Sequence, residues 1–358
     1  MKKYTITSIL FLLSFTIFSC NSVEDNYLEF YTFINDAELN IVDGNFSEAH
    51  RIYSEAFEIW SHAPSIDYYN ALLCAIKSEN YEKAFNYLER LAINGWKLNY
   101  FQDNPYLTQL REKKEWKEFV SNYPQLHQTY LESLDVELIN ELDSMLKRDQ
   151  SLAKSNNYSE YLKTVILNGN RIQQLIINNR MDNIFFGSEN SILYSPFPIV
   201  LLRHYCGVYN EAKKGYINIS NILNDTISMV NLEESMLIEL RKGHLSPLAY
   251  DLAINYSSDP DMHGNNLFMA VDSVILRKIL TAKEEKEINE KRANIGQEPI
   301  NDYIKKIEFY NKVGNNNLKK YFYKFRISSS YPVITGTPEK LKRFIDNRLD
   351  EGWIKVTP

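Results

Sequence analysis

Asp149, Arg171, His204 and His263 are the residues whose types could do chemistry together. They offer a proton acceptor, a fixed positive charge and two imidazoles that change charge near neutral pH. Gathered in a cleft, they would serve proton transfer in a hydrolytic step. Asp149 continues an apolar stripe formed by Leu138, Ile139, Leu142, Met145 and Leu146 at helical spacing. A carboxylate on that stripe is expected to be buried, and a buried charge needs a partner. Arg171 flanks the stripe of the next helix, about Ser159 to Asn178, and is the expected partner. His204 interrupts the apolar run from Pro198 to Cys206, and His263 lies in the polar loop Asp259–Asn266. A buried ion pair beside a satisfied core histidine accounts for the same residues without catalysis, and both readings stay open here. Two histidines and an aspartate are also metal-ligand types. No ligand pair sits at helical spacing, so neither metal nor cofactor is expected. His204 and Cys206 are two apart on one helix and do not face each other, so they are not read as a base and its nucleophile. Gly-rich phosphate loops, the Gly-x-Ser-x-Gly elbow, His-Glu-x-x-His and paired Cys-x-x-Cys do not occur.

The helices that must position these residues run from about residue 136 to 308. Leu142-x-x-Met145-x-x-Arg148-Asp149-Gln150 is followed by Asn170-Arg171 and Leu175-Ile176. The His204 helix, Gly243-x-Leu245-Ser246-Pro247-x-x-Tyr250, and Lys291 to Pro299 with Tyr303 complete the set. Together these landmarks resemble the uncharacterised bacterial family known as domain of unknown function 6624. That resemblance implies a helical domain and carries no activity with it. The chain departs from the family where a Tyr-Gly-Thr-Gln-like stretch is usual; only His263-Gly264-Asn265-Asn266 lies there. Ser246 reads as a helix N-cap before Pro247, and Gly243 and Gly296 read as helix stops.

Cys20 concerns the chain's address. Lys2 and Lys3 precede an apolar run, and Ile17-Phe18-Ser19-Cys20 resembles the lipobox of bacterial lipoprotein signal peptides. Ile6 to Phe18 is shorter than the roughly 20 residues a membrane-spanning helix needs. The resemblance implies cleavage after Ser19 and lipidation of Cys20. More than one acyl chain there would anchor the protein stably. Asn21 to Asp25 is similar to the acidic stretch of surface-exported lipoproteins of the Bacteroidetes. The expected location is therefore the cell envelope, at the outer membrane rather than the inner, with the leaflet open. A net charge of −6 argues against a nucleic-acid partner. The basic aromatic stretch Lys319 to Arg326 reads as a half-buried strand instead. Cys74 and Cys206 sit in apolar helical stretches and read as buried thiols.

At 358 residues the chain has room for two or three domains. The order expected is a signal peptide (1–19), a tether (20–30), a repeat region (31–123), a linker at 124–134, the helical domain (136–308) and a small α/β segment (309–358). In the repeat region Gly44, Phe46, Ala49, Tyr53 and Ala56 recur about 35 residues later as Glu79, Tyr81, Ala84, Leu88 and Leu91. This resembles the tetratricopeptide repeat, whose period is about 34 residues. Small residues mark the helix crossing, and Glu79 replaces the turn glycine in the second copy. Asn94-Gly95-Trp96 and Asn104-Pro105-Tyr106-Leu107 resemble the capping end of such arrays. Tyr321 to Ile327 alternates as a strand, Tyr331 to Ile334 reads as another, and Thr337-Pro338 opens a final helix. The fold class expected is mainly α, with helical hairpins, a helical domain and a small C-terminal α/β appendage. Helical arrays present binding surfaces. The function expected is a membrane-anchored binding or scaffold lipoprotein whose repeat region meets envelope proteins. The alternative is an envelope enzyme, a hydrolase with its site in the helical domain.

Overall fold

The computed structural model describes residues 23–60, 63–180, 196–218, 229–254, 263–264, 267–271, 274–312, 321–325 and 333–356. The signal segment and Cys20 lie outside them, as does most of the Asp259–Asn266 loop. The chain is mainly α, with a small sheet built near its C-terminus. Among the described residues, no helix is long and apolar enough to cross a membrane.

Two helical hairpins open the fold: α1 (Val23–Val42) with α2 (Phe46–Ile59), and α3 (Ser65–Lys77) with α4 (Tyr81–Ile93). Ala37, Ala49, Ala56, Leu72, Ala84 and Leu88 are fully buried, so the recurring positions of the sequence are the helix crossings. Both turns close in the same way. Asn45 and Gly44 donate to the Asn40 and Ile41 carbonyls; Asn80 and Glu79 donate to those of Ala75 and Ile76. This left-handed C-cap suits glycine. Gly44 adopts φ +81°, and Glu79 is held at φ +58° in the equivalent place. The repeat therefore imposes its geometry on an unfavourable residue.

Helix α1 starts at Val23 and buries Tyr27 and Phe30, so residues 23–30 are helix and core rather than tether. The segment after α4 holds α5 (Leu98–Asp103), a 3-10 turn at Pro105–Leu107 and α6 (Thr108–Arg111). The expected linker is also helical. Helix α7 (Glu115–Ser133) runs through Pro124. Proline lacks the N–H that would reach the Val120 carbonyl. Packing on α4 maintains the helix: Phe119 is buried, and the Tyr123 hydroxyl donates to the Trp96 carbonyl at 3.0 Å.

Helices α8 (Val136–Ala153), α9 (Tyr158–Ile177) and α10 (Pro196–Lys213) pack mutually. Gly169 of α9 lies under the Tyr205 ring of α10. Helices α11 (Glu233–Arg241) and α12 (Pro247–Ile254) follow, with Gly243 at φ +80° between them. The Ser246 hydroxyl caps α12 by accepting from the Ala249 N–H at 3.1 Å. Helix α13 (Ala282–Ala293) begins with a capping box between Thr281 and Glu284. Helix α14 (Ile300–Asn311) packs against α1.

The region expected to be all helix contains a β-hairpin. Strands β1 (Phe268–Val271) and β2 (Val274–Lys278) pair antiparallel. The last segment adds β3 (Val333–Ile334), parallel to β1, and β4 (Trp353–Val356), antiparallel to β2. The order is β3-β1-β2-β4, and α15 (Pro338–Asp350) covers the sheet. Met269, Val271 and Leu276 form a small core with Leu341, Phe344 and Trp353, separate from the main core.

Tyr321 to Phe325, expected as a strand, pairs with no strand in the described chain. Its main chain bonds side chains of the repeat region instead.

Candidate functional site

The four chemical candidates separate into three pairs. Asp149 is 0 % exposed, as its place on the stripe requires. Its partner is His204, not Arg171: Oδ1 lies 2.7 Å from His204 Nδ1. An ionised carboxylate only accepts, so Nδ1 carries the proton. Gln150 Nε2 donates to the same oxygen at 3.1 Å, and Tyr161 meets the imidazole edge-on at 6.0 Å. The His204 side chain keeps 15 % of its surface exposed. Asp149 therefore fixes an imidazole that still reaches solvent.

Arg171 pairs with Glu141 through two hydrogen bonds, Nε at 2.5 Å and Nη2 at 2.9 Å. That pair holds the Glu141 carboxyl below the usual carboxylate range. The correction follows from hairpin register. Helices α8 and α9 are antiparallel across a short turn, so the residues facing Asp149 lie near Tyr161. Arg171 is ten residues further along, about 15 Å on an α-helix.

His263 belongs to a third place. Its Nδ1 lies 2.6 Å from Asp251 Oδ1, and both side chains are buried. Gln297 Nε2 donates to the other Asp251 oxygen at 3.2 Å, and Arg292 Nη1 donates to the His263 carbonyl at 2.8 Å. Arg292 also reaches Glu298 at 3.4 Å. Lys306 joins Glu298 to Glu38 of α1, at 3.8 and 2.5 Å. These ionic groups tie α1 to α12, α13 and α14. Sequence reasoning missed Glu38 and Lys306. Their signal was the one that marked Asp149: a charge among apolar helical positions, here Ile34, Ala37 and Ile41, or Tyr303 and Ile307. Among the described residues, no hydrogen bond or ion pair joins the three places, and no group of three or more metal-ligating side chains gathers.

A different site lies against the helical hairpins. Asn70 of α3 is 0 % exposed, and its carboxamide is spent on main chain. Nδ2 donates to the Lys324 carbonyl at 3.0 Å, and Oδ1 accepts from the Lys324 N–H at 2.7 Å. The Tyr69 hydroxyl donates to the Tyr321 carbonyl. Asn104 Nδ2 donates to that hydroxyl at 2.9 Å, and Arg111 Nη1 donates to the Asn104 carbonyl at 2.7 Å. Rings flank the bound segment. Tyr323 stacks on Phe46 at 6.1 Å, Tyr321 meets Tyr100 at 5.1 Å, and Phe322 meets Phe309 at 5.6 Å. Burial pushes up the phenols of Tyr69 and Tyr323 and the thiol of Cys74, so these groups stay neutral at physiological pH. Beside the segment a cavity of about 460 Å³ remains, lined by Phe46, Leu73, Ile76, Tyr106, Phe322 and Tyr323 among others. This volume lies within the range of ligand pockets. The arrangement can hold extended main chain and apolar side chains, and Lys77 and Glu79 add one charge of each sign to the cavity lining. Tyr321 to Phe325 entered the sequence reading only as strand periodicity; the groove that receives it could not be seen from spacing.

Comparison with family models, curated proteins and solved structures returned no match.

Proposed function

We propose that the chain is a binding protein of the bacterial cell envelope, anchored through lipid on Cys20 and working through the groove of its N-terminal hairpins. The observation that carries this is the Asn70 carboxamide, which gives both its donor and its acceptor to the main chain of Lys324. A side chain used in this way grips an extended segment whatever its sequence, while the surrounding rings select aromatic side chains. The cavity beside it leaves room for an apolar group of a partner. Lipidation places the groove at a membrane surface, where its partners are other envelope proteins.

The test places a photo-cross-linking residue at Gln109, which lines the cavity, or at Lys286, which is exposed on α13. Both are used in the Cys20-anchored protein in intact envelopes. Discrete adducts from position 109, not from position 286, are expected. Equal labelling from both would overturn the groove as the working surface.

The Asp149–His204 pair supports a second reading, an envelope hydrolase in which His204 accepts a proton from water. A carboxylate that fixes Nδ1–H leaves Nε2 as the base, and His204 reaches solvent. A folded His204→Ala protein that has lost hydrolysis of a small-molecule ester would favour this reading over binding.

A further inference from the structure

Tyr321 to Phe325 is held as a ligand is held. Among the described residues it pairs with no strand, and hydrogen bonds tie its main chain to Asn70 and Tyr69 on α3. Its rings enter an aromatic surface contributed by α2, α5, the 3-10 turn and α14. Tyr323 and Phe325 are buried there. Phe309 and Tyr310 at the end of α14 pack on the segment, but the elements before and after it also have anchors of their own. Helix α14 is fixed to α1 by the Lys306–Glu38 pair and by the 3.0 Å bond from Asn35 to Asp302. Helix α15 has its own small core on the sheet. These contacts fix α14 and α15 without using the hydrogen bonds that hold the segment.

We propose that Tyr321–Phe325 is an internal ligand that occupies, in cis, a groove which takes an extended aromatic segment of a partner protein. This rests on the groove-binding reading given above. The occupant states the chemistry of the partner: rings at successive positions, and one main-chain unit with a free N–H and C=O opposite Asn70. An aromatic-rich extended segment such as Tyr-Phe-Tyr-Lys-Phe meets each requirement. A tethered occupant has an effective concentration in the millimolar range. A partner must therefore exceed that competition, so the groove answers only to tight or locally concentrated segments. A common membrane surface supplies such concentration.

The experiment uses the full Cys20-anchored chain in detergent and a labelled, end-blocked Tyr-Phe-Tyr-Lys-Phe peptide, with binding read by fluorescence anisotropy. Lys324→Pro removes the N–H that Asn70 accepts and so disfavours the cis segment without touching the groove. The peptide is expected to bind Lys324→Pro at least tenfold tighter than the unaltered chain. Adding Asn70→Leu to that variant is expected to abolish binding, and a Tyr-Phe-Tyr-Pro-Phe peptide is expected not to bind. If circular dichroism shows Lys324→Pro misfolded, Tyr323→Ala replaces it, since it removes the stack on Phe46 and leaves the main chain. Equal affinity for released and unaltered protein overturns the proposal, as does binding that ignores Asn70. Adducts from position 109 that persist in either case leave envelope binding standing and remove only the internal ligand. Tight peptide binding without adducts does the reverse.

Discussion

Replacing Asn70 by alanine should free one segment and leave its helix in place. The side chain makes two hydrogen bonds to Lys324, at 2.7 and 3.0 Å, in a fully buried position. If the segment stayed put, two main-chain groups would lose their partners, at about 1–3 kcal/mol each. If it left, burial of Tyr323 and Phe325 would be lost, at about 1.5–3 kcal/mol per side chain. The two costs are similar, so the bound state loses at least about 2 kcal/mol, the net worth of two hydrogen bonds. That corresponds to roughly a 30-fold rise in the population of the open segment. Helix α3 itself gains a few tenths of a kcal/mol, since alanine is the better helix former. The assay is amide hydrogen exchange read on peptides covering 65–77 and 321–325. Exchange at 321–325 should rise by roughly that factor, with 65–77 changed less than about threefold. Unchanged exchange at 321–325 refutes the clamp. An equal rise in both peptides refutes it too, because Asn70 would then be part of the hairpin core.

Gly169→Ala sets two effects against each other. Propensity favours alanine by about 1 kcal/mol, but the added Cβ would lie 1.8 Å from the Tyr205 ring. Overpacking of that kind costs about 1–3 kcal/mol or more, so urea denaturation should show net destabilisation; a gain would contradict the α9–α10 crossing. Glu284 is held down to about 2, first by the Thr281 N–H and then by Lys278. Its folded value lies below its unfolded one, so its contribution is present above about pH 4.5 and is lost as pH falls towards 2. The stability gap between the unaltered chain and Glu284→Gln should therefore close across that window in acid titrations followed by circular dichroism. Cys74 and Cys206 are free and buried, and burial pushes the Cys206 thiol up to about 12. Both should resist a thiol reagent such as dithionitrobenzoate at pH 8 in the folded chain and react once it unfolds; fast labelling of the native protein would contradict their burial.

The packing positions of the two helical hairpins were legible because they are set by local spacing. Ala49 and Ala84 had to be small wherever two helices cross, and they are fully buried. Asp149 was legible for the same reason, as a charge on an apolar stripe. Its partner was not, because the choice between Arg171 and His204 depends on where the α8–α9 turn sets the register and on how α10 packs. His263 and Asp251 lie 12 residues apart in sequence, and local periodicity carries no information about their pairing. The sheet was hidden by its size: its strands are two to five residues long, and β1 and β2 interrupt a run of helices. Tyr321 to Phe325 misled in an instructive way. Alternating burial describes any extended chain with one face against a surface, and here that surface is a set of helices rather than a strand.

The most direct measurement of the central claim is a peptide map of the adducts formed in envelopes by the full-length chain, with a reversible cross-linker spread across its surface. Binding through the groove predicts that the partner's cross-links cluster on α3, the 105–111 segment and the rim of the 321–325 site. It also predicts that they are lost with Cys20→Ser, which should release the chain or leave its signal uncleaved. Cross-links clustered around His204, or unchanged in a chain that no longer fractionates with membranes, would contradict it.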